Sequence, residues 1–370
     1  MYPSKGLATA LNKMREMSVD QNSIYHQYVP VVTESTTIGE FGSPILDSQN
    51  LNVLNDFVGL LKKVVFTAVY TKTFNNPLAD LEGDRLPLGQ FIEDVYVNPA
   101  KARGFNVNDF AGLLQKYEAE VATQYLSVNS DLQYQVTITR KKIRNAFTSW
   151  SNLESLITGM VNSLYNGAYI TRYNQTKGLA LSAFIGKAIK YEKITDPTDE
   201  ATAKALVCKM RSDFSKMKIP STKFNAWADV KGKDAFALKT WSDPQDIIVL
   251  ISADVEALIN VEVLASAFNM DKADFLGRVI VVDDFSQYND DGTVAVDGSS
   301  IKAMIADKSW FKIKTQDFAM DEFYNANNRT WQYYLNDVRM VNYSLFANAK
   351  IYATDDPATI ATADETKTDE

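Results

Sequence analysis

The sequence is poor in the residues on which most enzyme chemistry rests. Its 370 residues include one cysteine, Cys208, and one histidine, His26. A lone cysteine rules out a disulfide within the chain and any zinc site built from cysteines, and it fits a reducing compartment. A serine or cysteine triad needs a shielded, oriented histidine as its base. His26 lies in a polar stretch and reads as an ordinary surface histidine. Cys208 follows Val207 on what reads as the apolar side of a helix, as a structural thiol and not a nucleophile. Neither G-x-x-x-x-G-K-[ST] nor G-x-G-x-x-G follows any predicted strand, so a phosphate-binding loop is missing as well. No apolar run reaches the roughly 18–20 residues that a membrane helix needs. The amphipathic start, MYPSKGLATALNKMREMS, lacks the unbroken apolar segment of a signal peptide. The formal charge is −8, which argues against a dedicated nucleic-acid binder. The expectation is a soluble protein, made and used in a cytoplasm.

What is present is core. Hydrophobic residues make up 46% of the chain and aromatics 11%. At 370 residues two domains, or one domain with long excursions, are expected. The stretch Asp246–Phe285 organises the rest. Ile247–Ile251 has the length of a buried strand, and Ser252 follows as a candidate helix cap. Asp254 and Glu256 place negative charge in the first helical turn, where the helix dipole favours it. Leu258 to Phe268 is densely apolar, and after a linker Val279–Val282 reads as a second buried strand. Two strands joined by a helical crossover should lie parallel in one sheet.

In chain order, residues 1–61 read as an arm. Leu7, Leu11, Met14 and Met17 mark one helix face, and Leu51, Leu54, Phe57, Val58 and Leu61 a second. The polar stretch Asn22–Gln49 buries too little to stand alone and should order against other parts of the molecule. Val64–Thr73 is β-branched and aromatic and reads as a strand. Phe91, Glu93, Val95 and Val97 alternate with Ile92, Asp94 and Tyr96, a strand with two different faces. A helix is expected over Val107–Ala119, then an extended return over Gln133–Ile143. Paired, these strands make a ribbon that projects from a body and needs a partner surface. Ser151 and Glu154 fit a capping box opening a helix to about Gln175, with Leu179–Ile185 as a candidate extension into a long rod, and Asp199–Met217 is a further amphipathic helix. Asp290-Asp291-Gly292 reads as a hairpin or exposed loop. Ala303–Ile313, Trp331–Val341 and Leu345–Thr354 read as strands, and an acidic tail closes the chain.

Asp283, Asp284, Asn289, Asp290 and Asp291 are the best metal candidate. With Gly292 at the sixth position of an EF-hand loop, Gln287 would be first and Gly298 twelfth, so the register fails and a solvated turn is the better reading. The run Arg140, Lys141, Lys142, Arg144 has three readings: a solvated face, a phosphate contact, or pairing with acids of a neighbouring subunit such as Glu93 and Asp94. One enzymatic alternative stands beside these, an α/β enzyme or small-ligand-binding protein using the crevice near Ser252 and Asp283. No catalytic constellation and no cofactor site is found.

The order of elements is the stronger signal. A polar arm, a two-stranded loop, a long spine helix, an α/β domain and a return to strands resembles the major capsid protein of tailed bacteriophages, the Hong Kong 97-like α+β fold. NPLADLEGDRLPLGQFIEDVYVN, LISADVEALINVEVLASAFNMDKADFLGRVIVVDDF, ADKSWFKIKTQDF and WQYYLNDVRMVNYSLFANAKIY are similar to strings in capsid proteins of small short-tailed phages of the podovirus type. The similarity covers most of residues 60–353. No immunoglobulin-like insertion, which some relatives carry, and no N-terminal scaffolding segment is recognisable. The resemblance implies an N-terminal arm (1–61), an extended loop (62–145), a peripheral domain with the spine helix (146–195), an axial domain (196–318), return strands of the peripheral domain (319–353) and an acidic tail (354–370). It implies self-assembly into pentamers and hexamers of an icosahedral shell around double-stranded DNA, in the virion, assembled in the host bacterial cytoplasm without catalysis. Partners would be further copies of the chain, scaffolding and portal proteins, and DNA enclosed without specific contacts, with no membrane. Arg85, Glu93, Asp94, Arg140, Lys141, Lys142 and Arg144 would be inter-subunit contacts.

Overall fold

The computed structural model describes residues 3–20, 23–47, 51–68, 74–89, 91–104, 116, 118–232, 235–258, 279–289 and 292–357. Among these the strands are β1 (Ile92–Val97), β2 (Val121–Leu126), β3 (Ser130–Thr139), β4 (Lys190–Lys193), β5 (Ile247–Ser252), β6 (Val279–Val282), β7 (Gln287–Tyr288), β8 (Val294–Val296), β9 (Ile301–Asp307), β10 (Phe311–Asn325), β11 (Thr330–Tyr343) and β12 (Ala349–Ala353). The chain divides into two compact units. One comprises residues 1–76, 131–171 and 317–338, the other 77–130, 172–316 and 339–370.

In the first unit, helices Lys5–Asp20, Ile38–Leu46 and Leu51–Ala68 share one core with the first part of the long helix Trp150–Ile185. The core is aromatic at its centre. Phe41 lies 5.3 Å from Trp150 and 6.0 Å from Phe147, and Phe57 lies 5.4 Å from Phe147, measured between ring centroids. Two polar tips are satisfied by backbone: Trp150 donates to the Thr36 carbonyl (3.3 Å) and Tyr333 to that of Val58 (3.0 Å). The segment read as too polar to stand alone supplies part of this core. Thr37 and Glu40 form a reciprocal capping box, and Phe41 and Ile45 behind it are buried. The unit also holds most of a sheet ordered β10-β11-β3. Side chains of β3 alternate between covered and exposed faces, as expected of a sheet packed on one side.

The second unit is built on a five-stranded sheet ordered β4-β12-β9-β5-β6. β5 and β6 are parallel, Val249 opposite Val279 and Ser252 opposite Val282, as the crossover reading requires. Both faces are covered, which explains the continuous apolar run of β5. Ile248, Leu250, Met304, Ala306 and Ile351 meet Leu181 and Phe184 from the end of the long helix. Ile247, Val249, Ile251, Ala303, Ile305 and Tyr352 meet Leu206, Met210 and Phe214 of helix Glu200–Met217, capped by Asp199. β7 and β8 form the hairpin expected around Gly292, which sits at φ +82°.

Several expectations are corrected. Val64–Ala68 continues helix Leu51–Ala68, so local β propensity yields to the longer helical period begun at Leu51. The stretch Gln133–Ile143 is strand only to Thr139, and its basic run starts a helix, Arg140–Ala146. The long helix starts at Trp150. Ser149 opens it, its hydroxyl accepting from the Asn152 amide (3.2 Å) and its carbonyl from Leu153 (3.1 Å), so the Ser151–Glu154 box does not form. The hydroxyl of Ser252 is buried without a hydrogen-bond partner, so it does not cap the helix Ala253–Leu258. Val279–Val282 is an edge strand and half-buried, not a fully buried one. A 3-10 turn at Lys308–Trp310 splits the predicted Ala303–Ile313 strand. The remainder of the crossover helix, most of the helix read over Val107–Ala119, Val69–Thr73, and Asp290 and Asp291 lie outside the described residues.

Candidate inter-subunit surface

The ribbon of β1 and β2 is antiparallel, with Glu93 opposite Tyr125, Val95 opposite Thr123 and Val97 opposite Val121. It does not project freely. Its inner face lies on its own unit: Ile92 and Leu126 pack with Leu86 and Met340. Tyr96 stacks near Phe346. Gln124 donates to the Tyr343 carbonyl and accepts from the Leu345 amide, both at 3.0 Å. The outer face is bare. Phe91 is 64% exposed and Tyr125 66%, their rings 6.1 Å apart edge to face, and Val95, Val97 and Val121 continue the stripe along the register. Glu93 and Thr123 share this face, and the rest of it is exposed and apolar, which makes it a candidate interaction surface. The sequence reading saw the alternation of Phe91, Glu93, Val95 and Val97 but paired this strand with Gln133–Ile143; β2, which completes the outer face, was not read as its partner.

The predicted contact residues divide between the two units. In the second, Arg85 donates to the Gln316 carbonyl (3.0 Å). Asp94 faces inward, where it accepts from the Ser344 hydroxyl (2.8 Å) and pairs with Lys312 (3.2 Å). Glu93 faces outward and accepts from the Tyr125 hydroxyl (3.0 Å), a bond that holds this phenol above its usual pKa. In the first unit, Lys141, Lys142 and Arg144 are exposed and Arg140 half-buried, and none pairs with an acid among the described residues. The amide of Arg140 donates to the Arg329 carbonyl (3.2 Å).

The residues weighed for chemistry are placed otherwise. His26 donates its Nδ1 proton to the Ser23 carbonyl (2.7 Å). Cys208 is exposed, contrary to its reading as a packed thiol: the buried stripe Ala203, Leu206, Val207, Met210 turns past it. Asp283 is committed to structure. Lys177, fully buried, donates to both its oxygens at 2.7 and 2.8 Å, and Tyr173 donates at 2.6 Å. Lys177 also reaches Asp284 (3.2 Å), which accepts in turn from the Tyr288 hydroxyl. Partial burial pushes the Asp283 carboxyl up, but these hydrogen bonds outweigh it and hold the group below the usual carboxylate range. The bond to Asp284 pushes the Tyr288 phenol up to about 12. Lys177 was missed in the sequence, since a lone lysine before Gly178 carries no signal of burial. Groups of three or more acids, cysteines or histidines able to hold a metal are absent among the described residues. No helix among them is long and apolar enough to cross a membrane.

The subunit is α+β, with a long helix entering both units, a covered five-stranded sheet and a ribbon with one exposed face. A capsid chain of Staphylococcus phage Andhra superposes with a TM-score of 0.63, covering 78% of this chain and 87% of its own at 15% identity. A chain from the structure of head fiber and inner core protein of bacteriophage P68 gives 0.60 with the same coverage. The fold is the Hong Kong 97-like capsid fold. The chain belongs to the Phi29-like phage major capsid protein family, whose model matches residues 11–353. The major capsid proteins of Bacillus phages PZA and B103 are 28% and 29% identical to it, over 95% and 94% of this chain and 75% and 72% of theirs. That of Streptococcus phage Cp-1 is 25% identical over 88% of each chain. The chain is therefore a virion shell component with a structural, non-enzymatic role, and the crevice near Ser252 and Asp283 loses its enzymatic reading.

Proposed function

We propose that the chain assembles into pentamers and hexamers of an icosahedral head around double-stranded DNA, in the host bacterial cytoplasm, with scaffolding and portal proteins as further partners. In that reading residues 1–61 are the arm, 62–145 the loop that overlaps a neighbour, 146–195 and 319–353 the peripheral domain, 196–318 the axial domain and 354–370 an acidic tail. The observation that carries it is the bare apolar face of Phe91, Val95, Val97, Val121 and Tyr125 on a ribbon whose other face is fixed to its own unit. Such a surface has a use in an assembly and is a liability in a free chain. Arg85 and Glu93 sit with that loop, while Asp94, already paired with Lys312, serves to hold it in place.

The cations Lys141, Lys142 and Arg144, with Arg140 partly buried beside them, form a second contact that takes acids of the neighbouring copy. Reversing Lys141, Lys142 and Arg144 to Glu leaves the chain folded, since these three side chains are exposed. It abolishes shells in negative-stain images and light scattering of purified protein. Shells of normal yield from the triple variant would refute this contact, and a wild-type chain that never exceeds a small oligomer would refute the shell geometry. DNA is enclosed without being gripped: a formal charge of −8 supplies no phosphate-neutralising surface overall. Filter binding at low salt therefore retains little duplex, and tight, specific retention would overturn that part.

A further inference from the structure

The sheet ordered β10-β11-β3 has two edges, and they are protected unequally. Along the start of β10 another segment lies against the strand: Gly83 donates to the Ile313 carbonyl and Leu86 to that of Thr315, both at 2.9 Å. Further on, β10 carries Asp317, Asp321 and Glu322, charges of the kind that keep an edge from pairing. β3 has no such device. Its ten residues, Ser130–Thr139, contain one charge, Asp131, and no lysine, arginine, proline or glycine. Among the described residues its one neighbour is β11, which leaves the other edge of the strand open to strand addition. The side chains of β3 divide by parity. Asp131, Gln133, Gln135, Thr137 and Thr139 are exposed, whereas Ile138 is buried and Tyr134 and Val136 pack against the same core.

We propose that this edge pairs with the same edge of a second copy, antiparallel about a two-fold axis that passes beside Gln135, joining the two three-stranded sheets into one. Backbone hydrogen bonding selects an extended strand, and the side chains select this one. A two-fold perpendicular to the sheet sets residues of equal parity opposite each other, so exposed face continues exposed face and covered face continues covered face. With Gln135 opposite its own copy, Asp131 meets Thr139 and Gln133 meets Thr137 on the exposed face, and no charge meets a like charge. On the other face Leu132 meets Ile138 and Tyr134 meets Val136. Every pair there is apolar, and one sets an aromatic ring against a β-branched chain. Moving the axis to Tyr134 loses this, because Ser130 then opposes Ile138. The inference rests on the self-association that the shell reading requires, and adds a contact that uses neither the ribbon nor the basic run.

The test uses the full chain with Cys208→Ser, since Cys208 is exposed and would cross-link on its own account. Residues directly opposite in an antiparallel pair stand about 4.5–5.5 Å apart between Cα atoms, inside the reach of a disulfide. Gln135→Cys, oxidised with copper phenanthroline, is therefore expected to run as a covalent dimer on a non-reducing gel. Gln133→Cys and Thr137→Cys each give little dimer alone, and an equal mixture of the two gives the mixed dimer. All three positions are exposed, so the circular dichroism stays that of the parent chain. Absence of the Gln135→Cys dimer overturns the proposal and leaves the edge to another segment or another protein. Dimer from Gln133→Cys alone in equal yield overturns it as well, because that marks another register or random collision. Cross-linking and shell formation are read separately, the latter by negative-stain imaging. Shells without the Gln135→Cys dimer overturn the strand pairing alone, and the dimer without shells overturns the pentamer and hexamer reading alone.

Discussion

Lys177 shows what a single side chain can fix and a sequence cannot announce. A buried ammonium is tolerated because three carboxylate oxygens lie within 3.2 Å of it and two tyrosine rings lie near 5 Å. These contacts tie the long helix to the segment that follows β6. Lys177→Met removes the cation from partly exposed acids, so its cost falls below that of a fully buried pair, at about 1–3 kcal/mol. The sign of the acid response follows from Asp283. Its carboxyl is depressed in the folded protein, so its stabilisation is fully present above the unfolded carboxylate value, near pH 4, and is lost as pH falls through the lower folded value. Thermal unfolding between about pH 6 and 2.5 should show the wild-type midpoint falling at the acid end, and Lys177→Met starting lower and falling less. Parallel curves would mean that this network is not what acid breaks.

At the scale of elements, period proved a better guide than propensity. The helices at Leu7–Met14, Leu54–Leu61 and Asp199–Met217, and the long helix to Ile185, were legible because their apolar spacing runs over several turns. Val64–Ala68 misled because four β-branched or aromatic residues say little against a helix already under way. Strand pairing was less legible than strand position: nothing local in Ile92–Val97 says that its partner is Val121–Leu126 and not Gln133–Thr139, since pairing is decided by side chains that meet across the fold. The start of the long helix was misplaced by two residues, because S-x-x-E is a pattern and a cap is a geometry. Ser149 opens the helix, so Ser149→Ala should cost about 1 kcal/mol while Ser151→Ala stays within about 0.5 kcal/mol. Chemical denaturation of the two variants distinguishes them, and equal losses would return the cap to Ser151.

For the whole molecule, the absences proved as informative as the motifs. One histidine and one cysteine left no catalytic constellation to find, and the residues that remain suspicious, such as Asp283, are held by structural partners. What the sequence did not display is where function sits, because a ribbon face becomes a surface only after its reverse side has been buried against the unit. That reverse side is packed through Ile92, Tyr96, Gln124 and Leu126, so charge can be introduced outside without disturbing it. Val95→Asp with Tyr125→Asp should therefore leave the far-ultraviolet spectrum and melting point of the unassembled chain close to wild type. On the proposed reading each subunit's ribbon meets a neighbour, so a folded variant that still engages through its other surfaces would interrupt closure wherever it enters. Mixing the variant with wild-type chain should cut the yield of closed shells more steeply than the variant's share of the mixture. A yield falling only in proportion would mean that the variant never enters, and normal shells from the variant alone would mean that this face is not an interface.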